Sequence, residues 1–212
     1  MYTIMVIDDS PFIVDIFVTM LQRGGYQTVA AYGGQEALDL LQTVKPDLIL
    51  LDIMMEPMDG WETLMHIKND HRIRDIPVIM LTAKQLTPNE AQEYGIYIED
   101  YIMKPITHKE LYEAIEAQLN RRRVLEKDLE MAREAGVDEA VIQNYKRLQR
   151  SIDINKRLLK ILENTYRTSE AREEEGEDDF SMAIRNMEMN VRYQEEQLNS
   201  LRSSFMNRTA SA

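Results

Sequence analysis

The sequence predicts a doubly wound α/β domain built on a five-stranded parallel sheet, followed by an all-α extension. Short apolar runs alternate with stretches of helical period over the first half of the chain, which is typical of a parallel sheet covered on both faces. All six prolines lie at or before Pro105, and beyond it the apolar residues follow heptad spacing. We therefore expect a first domain over residues 1–122 and a helical region over 123–212, with a break near 173–179.

Five strands are predicted in order along the first domain. The third and fourth are almost wholly apolar, which is typical of strands buried on both faces. The first helix begins at Ser10-Pro11 and has the helical period of Phe12, Ile16 and Met20. Further helices are expected over 35–44, 60–68 and 88–94. The strands are TIMVI (3–7), QTVAA (27–31), DLILL (47–51), PVIML (77–81) and EDYIM (99–103).

Charge and composition exclude several classes of protein. The 212 residues carry 25 basic and 37 acidic side chains, a net charge of -12, which is the wrong sign for holding nucleic acid over a broad surface. Cysteine is absent, so disulfides and thiolate metal sites are excluded. No apolar run approaches the roughly 20 residues of a membrane-spanning helix, and the N-terminus lacks a signal-peptide pattern. We expect a cytoplasmic protein with no membrane insertion.

Polar side chains stand at the carboxyl ends of four predicted strands. Asp8 and Asp9 follow the first strand, Asp52 closes the third, Thr82 follows the fourth and Lys104 follows the fifth. These ends meet at one edge of a parallel sheet, where such sheets bind ligands. Three carboxylates so close together would repel one another unless a cation lies among them, and an all-oxygen set suits Mg²⁺.

The same residues are suited to phosphoryl transfer onto a carboxylate, and Asp52 is the natural acceptor. A carboxylate is already a nucleophile, while Lys104 and the Thr82 hydroxyl would stabilise the charge that develops during transfer. Taken singly, each of these residues is more often a helix cap or a surface side chain. Their occurrence together at successive strand ends favours a site.

These stretches resemble the receiver domain of two-component response regulators, a chemotaxis-type (CheY-like) family with a flavodoxin-like fold. The resemblance covers residues 1 to about 122. It implies a phosphoacceptor switch in a phosphorelay, which is not an enzyme beyond catalysing its own phosphorylation and dephosphorylation. It also implies a histidine kinase or phosphotransfer protein as the phosphoryl donor. The matching motifs are VIDDS (6–10), LILLDIMM with MDG (48–60), VIMLTA (78–83) and YIMKP (101–105).

The resemblance further implies an acceptor and a metal site. Asp52 would become an aspartyl phosphate. Asp9, Asp52 and the backbone carbonyl of Met54 would bind Mg²⁺, with Asp8 acting through water.

A switch is implied as well. Thr82 and Lys104 would contact the phosphoryl group, and Tyr101 falls where the family has an aromatic that turns inward when Thr82 moves toward the phosphate. This would bias a bistable face made by the helix before the fifth strand, that strand and the helix after it. The alternative for Tyr101 is a plain half-buried strand aromatic.

Two departures from the family pattern, and the residues at two further positions, affect these expectations. Glu56 stands where the family usually has proline, and Pro57 follows it, which reshapes the loop beside the metal. The stretch 95–101 is longer than usual, which bears on the face through which many receivers dimerise. Met54 and Lys84 occupy positions that tune the phosphoryl lifetime, and an apolar Met54 is expected to slow hydrolysis.

The tail is predicted to be a helical hairpin or coiled coil. The helix starting at Thr107 is expected to run to Ala135-Gly136, where glycine would end it. Two heptad sequences follow, separated by the acidic stretch EEEGEDD (173–179), which we interpret as a solvated turn. The first contains Val141, Tyr145, Leu148, Ile152, Asn155, Leu159, Leu162 and Tyr166, and the second contains Phe180, Ile184, Met187, Val191, Gln194, Leu198, Leu201 and Phe205.

The polar position in each heptad sequence predicts a register. If the chain folds back through the acidic stretch, Asn155 meets Gln194, Tyr145 meets Phe205 and every apolar position meets an apolar one. Two facing amides satisfy each other, whereas one facing leucine would be penalised. The alternative is a homodimer in which Asn155 faces its own copy, and a four-helix dimer would combine both arrangements.

We expect the tail to act as a protein-interaction or oligomerisation module for an unknown downstream protein. All three histidines lie in the first domain, so the tail is not a histidine phosphotransfer bundle. One alternative is a transcription regulator with an unrecognised helical DNA-binding tail, although only Arg121–Arg123 offers a basic stretch and no recognition pattern follows it. Another is a phosphate-sink receiver whose tail only oligomerises.

Overall fold

The first part of the chain forms a five-stranded parallel sheet. Its strands are β1 (Thr3–Ile7), β2 (Gln27–Ala31), β3 (Leu48–Asp52), β4 (Val78–Thr82) and β5 (Asp100–Met103). They lie in the order β2-β1-β3-β4-β5, with every neighbouring pair parallel. Every residue of β3 and β4 is buried, as their apolar runs predict. The computed structural model describes residues 1–83, 90, 93–168 and 177–209.

Three helices alternate with the first four strands. They are α1 (Pro11–Arg23), α2 (Gly34–Leu40) and α3 (Gly60–Asn69). The predicted start of α1 after Ser10 is confirmed, but its buried residues are Val14, Phe17 and Leu21, whereas Phe12 is 72% exposed. Because α1 carries apolar residues on nearly every side, its period fits more than one phase. Of the helix predicted over 88–94, residues 88, 89, 91 and 92 lie outside the described residues.

A long helix follows the sheet. This helix, α4 (His108–Glu134), contains neither glycine nor proline, and it ends at Gly136 with a φ of 64°, as predicted. The chain divides into two compact units, with the boundary inside α4 between Leu119 and Asn120. The first unit contains the sheet, and the second contains the rest of α4, the tail helices and the described residues of 86–96.

Each end of α4 belongs to a different core. Leu111, Ile115 and Leu119 pack with residues of the sheet and α1 in the first unit. Leu129 and Ala132 pack with residues of the tail helices in the second. The helix α4 therefore contributes buried apolar residues to both units.

The tail is a hairpin of two long helices, α5 (Glu139–Thr168) and α6 (Glu177–Thr209). Tyr145 and Phe205 meet edge to face with ring centroids 5.3 Å apart, and Asn155 Nδ2 donates to Gln194 Oε1 at 3.2 Å. The predicted antiparallel register is confirmed at these pairs. The side chains of Leu162, Tyr166 and Phe180, and residues 173–176 of the acidic stretch, lie outside the described part of the chain.

Within the described residues, no helix is both long enough and apolar enough to span a membrane.

We predict that Asn155→Leu destabilises the hairpin by about 1 kcal/mol, because Gln194 Oε1 then loses the Asn155 amide donor and keeps only the Ser151 hydroxyl across the interface. Adding Gln194→Leu is expected to recover most of that loss. Urea unfolding followed by helical circular dichroism measures both effects.

The matched control is Lys156→Ala, which removes the Lys156–Glu195 ion pair between the same two helices at a more exposed site. The register argument fails if Asn155→Leu costs no more than this control.

Candidate functional site

The predicted site residues lie together along one edge of the sheet. Asp8 directly follows β1, Asp52 is the last residue of β3 and Thr82 is the last residue of β4. Lys104 directly follows β5, and its backbone N–H donates to the Thr82 carbonyl oxygen at 2.7 Å. The parallel register of the sheet therefore places all four at the carboxyl ends of adjacent strands, as predicted.

The Lys104 ammonium connects two buried carboxylates. Its Nζ lies 2.6 Å from Asp8 Oδ2 and 2.7 Å from Asp52 Oδ1. The carboxylate residues are 4% and 5% exposed, so little water screens these contacts. Charge-assisted hydrogen bonds of this length are among the stronger polar contacts in proteins. The lysine thus holds the side chains of three strand ends in one place.

Burial and charge act on these groups in opposite directions. Burial raises the pKa of Asp52 above its ordinary value, and the nearby Asp8 charge adds to this, although Lys104 and the Met54 N–H work against it. For Lys104, burial lowers the pKa, but the hydrogen bonds to Asp52 and Asp8 outweigh it and leave the pKa raised. The lysine is therefore charged at neutral pH, and Asp52 is a carboxylate destabilised by its surroundings.

The remaining carboxylate oxygens bind backbone N–H groups. Asp8 Oδ1 accepts from Ser10 at 3.0 Å and Asp52 Oδ2 accepts from Met54 at 2.7 Å. Asp9 is exposed, and its Oδ2 accepts from the Glu56 N–H at 3.1 Å. The site has two carboxylates around Lys104, whereas the third is bound to the loop.

The expectation that Asp8, Asp9 and Asp52 converge is therefore met by Asp8 and Asp52 only. Among the described residues, no three His, Asp or Glu side chains are placed to hold a metal ion between them. The physical reason is that Glu56, unlike a proline, has a backbone N–H, and this donor binds Asp9.

The donor chemistry of the site nevertheless suits Mg²⁺. Two carboxylates share one lysine, so the sheet edge has an excess of negative charge, and all carboxylate ligands offered there are hard oxygen donors. These residues fit a divalent cation, provided that Asp9 leaves the Glu56 N–H.

The two predicted switch residues lie on adjacent strands. Thr82 is fully buried, and Tyr101 is half-buried with its N–H donating to Asp100 Oδ1 at 2.9 Å. Tyr101 pairs with Met80 in the β4–β5 register, two residues before Thr82. Because side chains alternate between faces, Thr82 and Tyr101 point to the same face of the sheet. Met54 is 60% exposed, and Lys84 lies outside the described residues.

Sequence reasoning missed two residues that support the end of β3. Asp59 caps α3, accepting from the Glu62 N–H at 2.8 Å. Gly60 begins that helix against the backbone of β3, and a Cβ there would overlap the Asp52 carbonyl oxygen. An Asp-Gly pair directly before a helical period is a signal that would have found both.

A doubly wound sheet with an acid pair, a hydroxyl and a lysine at these strand ends defines a phosphoacceptor class of domain. A family model described as "Response regulator receiver domain" matches residues 4–116. The chain belongs to the response regulator receiver family, and this confirms the resemblance. A second model, described as "Metanogen output domain 2", matches residues 121–209.

Solved receiver structures resemble the first half of the chain. The N-terminal domain of a response regulator receiver protein from Methanoculleus marisnigri is 68% identical, covering 55% of this chain and 95% of that one, with a TM-score of 0.48. Chemotaxis protein CheY4 of Vibrio cholerae is 27% identical, and the match covers 55% of this chain and 98% of that one, with a TM-score of 0.52. TrrA of Thermotoga maritima, solved in complex with Mg²⁺ and BeF, is 30% identical. The match covers 56% of this chain and 99% of that one, with a TM-score of 0.50.

We predict that Asp52→Asn stabilises the protein in metal-free buffer, increasingly so as pH rises. Because the pKa of Asp52 is raised in the folded state, the native protein keeps this proton at pH values where the unfolded chain has lost it. The free energy of unfolding of the wild type therefore falls through that window relative to the variant. Urea unfolding at several pH values in the presence of a chelator measures the difference.

The control is Asp15→Asn on the exposed surface of α1. A stability difference between Asp52→Asn and wild type that does not vary with pH would contradict the prediction.

We predict that Gly60→Ala destabilises the first unit by about 2 kcal/mol, because the new methyl group overlaps backbone atoms of Asp52 and Ile53. Glu62→Ala, an exposed change in the same helical turn, is the matched control. Thermal unfolding compares the two, and equal stability of the variants would show that the helix has room to shift.

Proposed function

We propose that Asp52 accepts a phosphoryl group from the phosphohistidine of a histidine kinase or phosphotransfer protein, with Mg²⁺ bound, and that the helical tail carries the signal. The observation that supports this most directly is the buried Asp52 carboxylate 2.7 Å from Lys104 Nζ at the sheet edge. Membership of the receiver family supports the phosphoacceptor role.

The proposed transfer needs a nucleophile and groups that stabilise charge. An Asp52 carboxylate oxygen attacks the phosphorus atom, the bond from phosphorus to the donor imidazole nitrogen breaks, and the imidazole leaves with the electron pair. Lys104, already at the carboxylate, compensates the negative charge on the phosphoryl oxygens, and the Thr82 hydroxyl would donate to one of them. Burial raises the pKa of Asp52, so its carboxylate is less stabilised than an exposed one, which favours its role as the nucleophile.

Asp8, Asp9, Asp52 and the Met54 carbonyl would hold the metal. Mg²⁺ supplies positive charge that neutralises the carboxylates and the phosphoryl oxygens. The complex of the Thermotoga protein with Mg²⁺ and BeF supports this assignment. In this chain Asp9 must exchange the Glu56 N–H for the metal, so the loop containing Glu56 takes part in metal binding.

Phosphorylation would act through Thr82 and Tyr101. A Thr82 hydroxyl drawn toward the phosphoryl group vacates space on the face of the sheet that Tyr101 shares. The tail then serves as a protein-interaction or oligomerisation output. The chain would act as a switch that catalyses at most its own phosphorylation and dephosphorylation.

We predict that acetyl phosphate with Mg²⁺ adds one phosphoryl group to the wild type and none to Asp52→Asn. Intact-mass spectrometry measures the product, and a chelator is expected to abolish it because the carboxylates then repel the donor phosphate. Asp15→Asn, whose carboxylate is exposed on α1, is the matched control and is expected to react as wild type. Phosphorylation of Asp52→Asn, or of the wild type without metal, would refute the proposal.

A further inference from the structure

A third buried carboxylate lies in the second unit, on α4. Among the described residues, the buried acids are Asp8, Asp52 and Asp128. The first two form the phosphoacceptor site, whereas Asp128 lies on α4 in the second unit and is 3% exposed. Burying a carboxylate is costly unless charge and hydrogen bonds compensate it, so this position calls for a physical explanation.

Asp128 is satisfied by one residue from each tail helix. The Tyr145 hydroxyl of α5 donates to Asp128 Oδ2 at 2.7 Å. Arg202 of α6 donates to Asp128 Oδ1 from Nε at 3.2 Å and from Nη2 at 3.0 Å. We name Asp128, Tyr145 and Arg202 the Asp128 cluster. It joins three helices through a single carboxylate.

Apolar packing surrounds this cluster. Tyr145 is 1% exposed and stacks edge to face on Phe205, and both belong to a core with Leu129 and Ala132 of α4. Burial, together with the hydrogen bond to Asp128, holds the pKa of Tyr145 above its ordinary value, so its hydroxyl remains a donor. Apolar side chains alone allow several rotations of a helix in its groove, whereas a buried polar group with fixed partners allows few.

We propose that the Asp128 cluster is a positioning device that fixes the hairpin on α4 in one orientation, so that the tail follows the helix leaving the receiver domain. Asp128 lies roughly 14 Å along the helix axis beyond Leu119, the last residue of α4 in the first unit. The inference rests on the proposed function only in taking the tail as the output. It assigns this role to Asp128, Tyr145 and Arg202.

Spin labels test this in the full chain, which has no cysteines to interfere. Labels are attached through Lys127→Cys on α4 and Met189→Cys on α6, both exposed positions. The distance distribution is expected to be single and narrow in otherwise wild-type protein. It is expected to broaden in Arg202→Met, and amides of residues 125–134 should exchange hydrogen on the order of 100-fold faster.

Arg202→Met leaves a buried charge unpaired and therefore threatens folding, so a second variant is needed. Asp128→Leu with Arg202→Met removes both charges and keeps the tail apolar, which commonly preserves or raises stability. We expect this double variant to remain helical but to show a broadened distance distribution. A narrow, unchanged distribution would overturn the proposal.

Lys156→Ala is the matched control, because it breaks an ion pair between the same two tail helices away from α4. It is expected to leave the distribution narrow, and broadening equal to that of the Asp128 variants would also overturn the proposal.

A final experiment adds Mg²⁺ and beryllofluoride as a phosphoryl mimic to the labelled protein. It separates a failure of the proposed function from a failure of the proposed role of the Asp128 cluster. A distribution that is narrow in the wild type and broad in the Asp128 and Arg202 variants, all without the mimic, supports the Asp128 cluster whatever the mimic does. If beryllofluoride binding at Asp52 is absent, the proposed function fails and the positioning role stands.

Discussion

The Lys104 ammonium between Asp8 and Asp52 is the contact on which the first unit depends. The strand order brings two carboxylates to adjacent strand ends, where burial removes the water that would screen them. Repulsion between two carboxylates so close together destabilises the sheet unless a cation binds both of them. Lys104 directly follows β5, which is the edge strand on that side of the sheet. The negative charge of Asp8 and Asp52 on the central strands is therefore compensated only when β5 is in place. The acceptor and its fold therefore share one electrostatic requirement.

The buried carboxylate of the second unit, Asp128, is compensated in a different way from Asp52. Asp128 has one arginine and one tyrosine, so its charge and both oxygens are satisfied. Asp52 shares one lysine with Asp8, and Asp9 adds further negative charge nearby. Among the buried carboxylates of the described residues, the pair at the sheet edge therefore retains an excess of negative charge, which a bound cation would compensate. Burial of a carboxylate is therefore not enough to identify a candidate site. The distinguishing feature is a negative charge that the neighbouring groups compensate only in part.

The strands and the site residues were predictable because both follow local rules. Apolar runs and the polar residues that end them identify the carboxyl edge of the sheet without any tertiary information. The face of α1 was not predictable, because Phe12 and Phe17 lie on different sides of a helix that is apolar on both. The position of Asp9 was missed for another reason. It depends on a hydrogen bond with Glu56, 47 residues away, and no periodicity shows such a contact.

The heptad pattern predicts the pairing of the two tail helices but not their contacts with α4. Matching Asn155 with Gln194 predicts how two helices pair, because the polar positions interrupt both apolar faces once. It does not show what a third helix contributes, and the contact of Asp128 with Arg202 joins residues 74 apart. Yet this third helix is α4, which carries core residues of both units on one uninterrupted helix. This helix contains neither glycine nor proline, which are the usual causes of a sharp kink, so the core residues of both units belong to one continuous element of secondary structure.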